Sequence, residues 1–294
     1  MIYFVMVFLG LGVASFGVMV AGLFWGGFGV TTLVKRAGLM AVVWVAFGVG
    51  LHYLYTGSAS FRAGLPASVL NLDLRRSGYG LTAMSELVRR AEAGATGRDD
   101  WARTTEVLLS HEWWAGYVDD GLYDNDNCNF KAYGESARTG DAVQVVRRWF
   151  GFLIGEEALD EETFGRWLQV DPPGIFEIPD EVEAGGNALA ITVRYGREWN
   201  AEAGLPYEIS KMGFDEIRID GKVVPFEVTE GSSSEAARGR YAQRVVWFIG
   251  GLPQPGKDAA GREEVVEVRY RLSAEPGGFA DVGPLVWRKA VRVR

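Results

Sequence analysis

The chain has 294 residues, of which 48% are hydrophobic, 13% aromatic and 23% charged. That is enough apolar material for one or two domains with cores of their own, and it excludes both intrinsic disorder and a small disulfide-stapled scaffold. No acidic residue precedes Asp73, so the chain beyond Tyr55 carries 28 of the 30 basic residues against all 38 acidic ones, a net of −10; an acidic body repels phosphate backbones, which argues against nucleic acid as a main partner.

Ile2 to Phe24 is a run of 23 uncharged residues, and Ala37 to Tyr55 is a second of 19, interrupted only by His52. A bilayer core about 30 Å thick needs roughly 20 helical residues, so each run is long enough to span it. Neither run has the polar face of a soluble amphipathic helix. The first lacks a basic leading segment and is too long for a cleaved signal peptide. Residues 1–55 are therefore expected to form a transmembrane helical hairpin in a lipid bilayer. Its connector, Trp25 to Arg36, holds Lys35 and Arg36, and basic residues in short loops stay cytoplasmic. The expectation is an integral protein of a bacterial inner membrane with its carboxy-terminal domain outside the cytoplasm, although Arg62, Arg75 and Arg76 pull the other way. Small residues recur four apart at Gly10/Ala14, Gly17/Ala21, Gly22/Gly26 and Ala46/Gly50, a spacing that lets the two spans pack closely.

Residues 56–80 are rich in Gly, Ser and Ala without helical periodicity and read as a juxtamembrane linker. A helical domain is expected over 81–171. Leu81, Met84, Leu87, Val88 and Ala91 define one helical face, with Thr82, Ser85 and Glu86 offering an imperfect cap. A second helix follows Asp99-Asp100 with Trp101, Thr105, Leu108 and Leu109. A third runs from Asp141 through Val145, Val146, Trp149, Phe150 and Leu153. A fourth, Asp160 to Val170, buries Phe164, Trp167 and Leu168 and is stopped by Pro172-Pro173. Leu81–Leu109 and Asp141–Leu168 align loosely as two helix pairs, too weakly to define a repeat.

After Pro172-Pro173 the period changes to two. Strands are predicted at Ile175–Ile178, Ala188–Tyr195, Phe214–Ile219, Val223–Val228, Tyr241–Phe248, Glu264–Leu272 and Val286–Val293. Seven short runs rich in Val, Ile, Tyr and Trp predict an all-β, immunoglobulin-like antiparallel sandwich over 174–294, and the single cysteine of the chain rules out an internal disulfide. Asp220-Gly221 marks a hairpin turn. In Glu264–Leu272, Val266, Val268, Tyr270 and Leu272 share one face and charges the other.

Two amino-terminal spans, the stretch Asp73-Leu74-Arg75-Arg76-Ser77-Gly78-Tyr79-Gly80-Leu81-Thr82, Trp-bearing helical pairs and a final sandwich together resemble two-span membrane proteins of planctomycete-type bacteria. That group has no assigned activity. The resemblance implies a location and a layout and transfers no catalytic residue.

The chemical motifs are sparse. Gly251-Leu252-Pro253-Gln254-Pro255-Gly256-Lys257-Asp258 matches a phosphate-binding loop except at its last position, where Asp258 replaces the magnesium-binding hydroxyl, and its two prolines remove amide donors. His111-Glu112-Trp113-Trp114-Ala115 begins like a zinc-peptidase helix, but Ala115 occupies the second histidine position. With His52, His111 and Cys128 the only such ligands, a His/Cys zinc site is nearly excluded. Asp119 to Phe130 concentrates carboxylates and amides that suit calcium, with Asp120, Asp124 and Asp126 as candidate ligands, yet the sixth position of a loop that starts at Asp124 is Asn129 and not the glycine of a helix-loop-helix site. Asn and Asp are also ordinary turn residues. Trp113, Trp114, Tyr117 and Tyr123 form an aromatic group beside that loop that suits a sugar or peptide ligand, or a core. Glu156-Glu157 and Asp160-Glu161-Glu162 read as a solvated helix start.

These features predict a non-enzymatic, membrane-anchored interaction or scaffolding protein whose partners are the bilayer and an unidentified protein or ligand, with no resident cofactor. Two alternatives stand beside it: a ligand-sensing receptor or hydrolase using His111–Phe130, and an accessory subunit of a larger membrane complex.

Overall fold

The computed structural model describes residues 30–74, 79–110, 135–182, 189–230, 242–248 and 262–293. The chain divides into two compact units, Met1–Val145 and Val146–Arg294.

Among the described residues of the first unit come helix α1 (Val30–Gly57), α2 (Ala59–Ala63), α3 (Ala67–Leu74), α4 (Gly80–Glu92) and α5 (Arg98–Leu108). No residue of α1 between Val42 and Gly50 is buried; Val42 is 67% exposed, Val45 65% and Phe47 48%. Side chains of α1 are described without a break only from Val42 onward, a stretch shorter than the roughly 20 residues a span needs, and among the residues so described no helix is long and apolar enough to cross a membrane. Lys35 and Arg36, expected in a connector, lie within α1 beyond its first turn. The uncharged run thus extends backward as continuous helix across the basic pair.

The stretch expected as a linker is instead helical. The Ser58 hydroxyl caps α2 by accepting the Phe61 amide hydrogen bond at 3.2 Å. Val69, Leu70, Asp73 and Leu74 are buried on one side of α3, at the i, i+1, i+4, i+5 spacing of a helical stripe. They pack toward α4, whose expected face is confirmed at Met84, Leu87, Val88 and Ala91, all buried; Leu81 is only half-buried. α4 has no side-chain cap at Tyr79. Asp99 and Asp100 fall in the first turn of α5, where their charge complements the helix dipole.

The second unit takes up the carboxy-terminal half of α6 (Glu135–Gly155) and then α7 (Glu161–Val170). Asp160 caps α7 by accepting the Thr163 amide at 2.7 Å, with Glu161 and Glu162 in the first turn, as the acidic run predicts. Trp149, Phe150, Phe164 and Trp167 are buried. The Phe150 and Trp167 rings stack at 4.0 Å, and Phe164 stacks on Phe279 of the sheet at 3.9 Å.

Among the described residues nine strands follow, interrupted by the short helix α8 (Arg197–Glu202): β1 (Phe176–Glu177), β2 (Glu181–Val182), β3 (Leu189–Tyr195), β4 (Glu208–Ile219), β5 (Lys222–Val224), β6 (Phe226–Glu230), β7 (Ala242–Phe248), β8 (Glu263–Glu275) and β9 (Phe279–Val293). They form a four-stranded sheet in the order β1-β3-β7-β6 and a five-stranded sheet in the order β2-β9-β8-β4-β5. All pairings are antiparallel except β2 with β9, which is parallel. The expected face of β8 is buried at Val266, Val268, Tyr270 and Leu272. Phe176 of the first sheet reaches Tyr270 and Trp287 of the second, at 4.9 and 5.0 Å between ring centroids.

Two features correct the strand expectations. The run Val223–Val228 is two strands in different sheets, broken at Pro225, because proline has no amide hydrogen for the ladder and permits the crossing. Strands β4, β8 and β9 are also longer than their apolar cores. The Asp220-Gly221 turn is as expected: Ile219 pairs with Lys222 and both turn residues have positive φ, 47° and 78°, the signature of a type I′ hairpin.

Candidate functional site

The residues on which sequence reasoning centred a ligand or metal site lie outside the described residues: His111, Trp113, Trp114, Tyr117, Asp120, Tyr123, Asp124, Asp126 and Cys128, together with the loop 251–258. Among the described residues no group of three or more His, Cys, Asp or Glu side chains is placed to hold a metal ion. The polar chemistry that is described gathers at two other places.

The first is where α1 ends. The last carbonyls of a helix lack partners within it and demand donors. Here the Ser58 amide reaches the Leu54 carbonyl at 3.0 Å, and Arg62 donates from one guanidinium nitrogen to the Tyr55 and Thr56 carbonyls, at 2.6 and 3.0 Å. A cation on the negative end of the helix dipole adds to the hydrogen bonds. The next helix is capped in the same way: Arg90 of α4 donates to the carbonyls of Arg62, Ala63 and Leu65 at 2.7, 3.1 and 2.7 Å. Glu86 holds Arg90 through its Nε at 3.0 Å and takes a two-point bond from Arg89. Burial pushes the Glu86 carboxyl up, and the bonds from Arg89 and Arg90 outweigh it, leaving the group below its ordinary value.

Beside these clamps sits a buried carboxylate. Asp73 is fully buried, next to the Tyr55 hydroxyl. The Tyr79 ring stands edge-on to Tyr55 with 5.4 Å between centroids, and its hydroxyl is 2.9 Å from Nδ1 of exposed His52. Burial and then the Asp73 charge push the Tyr79 phenol up. The cluster therefore ties the final turns of α1 to the ends of α3 and α4. The described bonds of the cluster, the Tyr79 hydroxyl with His52 among them, hold these helices in position. The sequence offers His52 as an interruption of an apolar run and a possible zinc ligand, and Asp73 as a charge and the start of the stretch that carries the resemblance, with no link between the two; the apolar spacing around Asp73 is the signal that marks the helix.

The second place is inside the β-rich unit. Arg147 of α6 pairs with Asp171 just past α7, with Nε to Oδ2 at 3.2 Å, and also donates to the Ala203 carbonyl. Burial pushes the Asp171 carboxyl up, and Arg147 and the Trp167 indole only partly offset it. Tyr207 lies near this pair and Tyr270 near Tyr207; the hydroxyls of both have no hydrogen-bond partner among the described residues, and burial pushes both phenols up. The Arg147–Asp171 pair ties α6 to the end of α7 and, through the Ala203 carbonyl, to the end of α8, which is a structural role. The chain matches no protein-family model, no curated protein and no solved structure.

Proposed function

We propose that the protein is a membrane-anchored interaction or scaffolding protein, in which α1 is a bilayer span and the β-rich unit is an immunoglobulin-like module displayed outside the cytoplasm. The observation that carries this reading is the surface of α1. Its 28 residues amount to about 42 Å of helix, more than a hydrocarbon core requires. Valines and a phenylalanine are exposed around its middle, where a helix in water would have hidden them. Lys35 and Arg36 then stand at the end of the uncharged segment Ala37–Tyr55, where basic residues settle at the lipid boundary.

The strand order supports the module assignment. In an immunoglobulin sandwich one sheet runs A-B-E-D and the other G-F-C, with C′ added beyond C in the variable type. The orders β1-β3-β7-β6 and β9-β8-β4-β5 reproduce that sequence of neighbours, and β2 runs beside β9 as a short extra edge. Such modules carry binding surfaces more often than chemistry, and fold analogy alone assigns no partner.

The test uses the full chain in its own membrane. A cysteine at Ser233 in a Cys128→Ser background reacts with an impermeant reagent once the outer membrane is opened, if the β-rich unit faces outward. Reaction only after the inner membrane is broken reverses the orientation. Co-purification of a stoichiometric protein, lost when residues 174–294 are removed, supports the interaction reading. A pure protein that binds or hydrolyses a small molecule, and loses that property on His111→Ala, supports the receptor or hydrolase reading in its place.

A further inference from the structure

We infer that the foot of the helical unit, the end of α3 and the start of α4, lies in the phospholipid headgroup layer and contacts it directly; this rests on the reading of α1 as a span. The argument is one of depth. His52 precedes the last residue of α1 by five positions, about 7–8 Å along the axis. The Tyr79 hydroxyl, at the entry to α4, reaches down to it at 2.9 Å. Asp73, in the last turn of α3, lies against Tyr55. Both helices therefore sit level with the final turns of α1.

The contact is held by charge-assisted bonds, most of them at least partly buried. Arg62 closes the end of α1, and Arg90, fixed by Glu86, closes the end of α2. At this same level Tyr53 is 69% exposed, Leu54 48% and Leu72 43%. A tyrosine with aliphatic neighbours, at the point where an apolar helix leaves the membrane, suits the boundary between headgroups and acyl chains. Tyr53 and Leu54 belong to α1 itself and follow directly on its exposed apolar residues, and that continuity names phospholipid as the occupant.

The experiment uses the full chain carrying Cys128→Ser in nanodiscs of phosphatidylcholine and phosphatidylglycerol. Spin labels are placed one at a time on cysteines at Val45, Leu72 and Asp99, and each is measured for collision with oxygen and with a water-soluble nickel chelate. The expected result is an oxygen-dominated signal at Val45 and a nickel-dominated one at Asp99. Leu72 should show an oxygen-to-nickel ratio severalfold above that of Asp99. A Leu72 label indistinguishable from Asp99, with Val45 still in lipid, overturns the inference and leaves the span intact. Low access to both reagents at Leu72 means that protein covers this surface, which also overturns it. A water-accessible Val45 overturns the span itself. Unchanged circular dichroism in each labelled variant certifies that the comparison is between folded chains.

Discussion

Replacing Val268 by aspartate tests the interior of the β-rich unit most severely. Val268 is 1% exposed and stands opposite Ile217 of β4 and Trp287 of β9. Losing its burial costs about 1.5–2 kcal/mol. Enclosing a carboxyl without a partner adds roughly 2–3 kcal/mol even after the group takes up a proton. The total, about 4 kcal/mol, is comparable to the stability of many whole domains. Arg269 is the control one residue along: its side chain is 37% exposed and bonds Glu267 at 3.0 Å, so Arg269→Gln should cost about 0.5–1 kcal/mol. Hydrogen exchange of the slowest amides in β8 reads both variants in the full chain. Val268→Asp should accelerate them by about a thousandfold or unfold the unit, and Arg269→Gln by less than about tenfold. Equal acceleration by the two would refute the assignment of inner and outer faces.

Four further outcomes are expected. Asp160→Ala removes the cap on α7 and should lower the stability of the second unit by about 1 kcal/mol in denaturant titration. Gly283→Ala should cost about 2–3 kcal/mol, since φ at Gly283 is +145° and a Cβ there would lie 2.8 Å from the Tyr270 carbonyl oxygen; a neutral effect would contradict the close approach. The Glu264 carboxyl is pushed up by burial and then by its contact with Asp220. The folded state therefore holds the proton to a higher pH than the unfolded one, so this group favours folding most at low pH and loses that contribution as pH rises from 4.5 through the folded value. Glu264→Gln should flatten that decline, and an unaltered pH profile would exclude the effect. Glu267 works the other way: hydrogen bonds from Arg288 and Arg269 hold it below its ordinary value, so its contribution is present above that value and is lost as pH falls through the folded one, a loss that Glu267→Gln should abolish.

Much of this fold is legible in the sequence because single-face burial imposes a period. Val266, Val268, Tyr270 and Leu272 alternate with charges, and Phe164, Trp167 and Leu168 recur at helical spacing, so β8 and α7 are found where expected. What was missed lacked such a period or carried a contrary signal. β2 has two residues, too few to alternate, and owes its place to β9. Pro225 splits a continuous apolar run between two sheets, which hydrophobicity alone does not reveal. Residues 56–80 read as a linker in the sequence because Gly64, Pro66 and several Ser and Ala mask the stripe of Val69, Leu70 and Leu74. The capping arginines are harder still to foresee: Arg62 and Arg90 bind backbone carbonyls, which every residue possesses, so no residue type marks the partner.

The central claim is that α1 is embedded in lipid, and extraction of the full-length protein from its native membrane tests it most directly. After high salt and then alkaline carbonate, which strip proteins held only by surface contacts, the chain should remain wholly with the membrane pellet and leave it only in detergent. The same treatment of a chain that lacks residues 1–24, the other uncharged run, and has Val42, Val45 and Val49 replaced by arginine should release it, because each charge near the bilayer centre costs about 2.5–3.5 kcal/mol on insertion. Appearance of the unmodified chain in the carbonate supernatant would contradict the account.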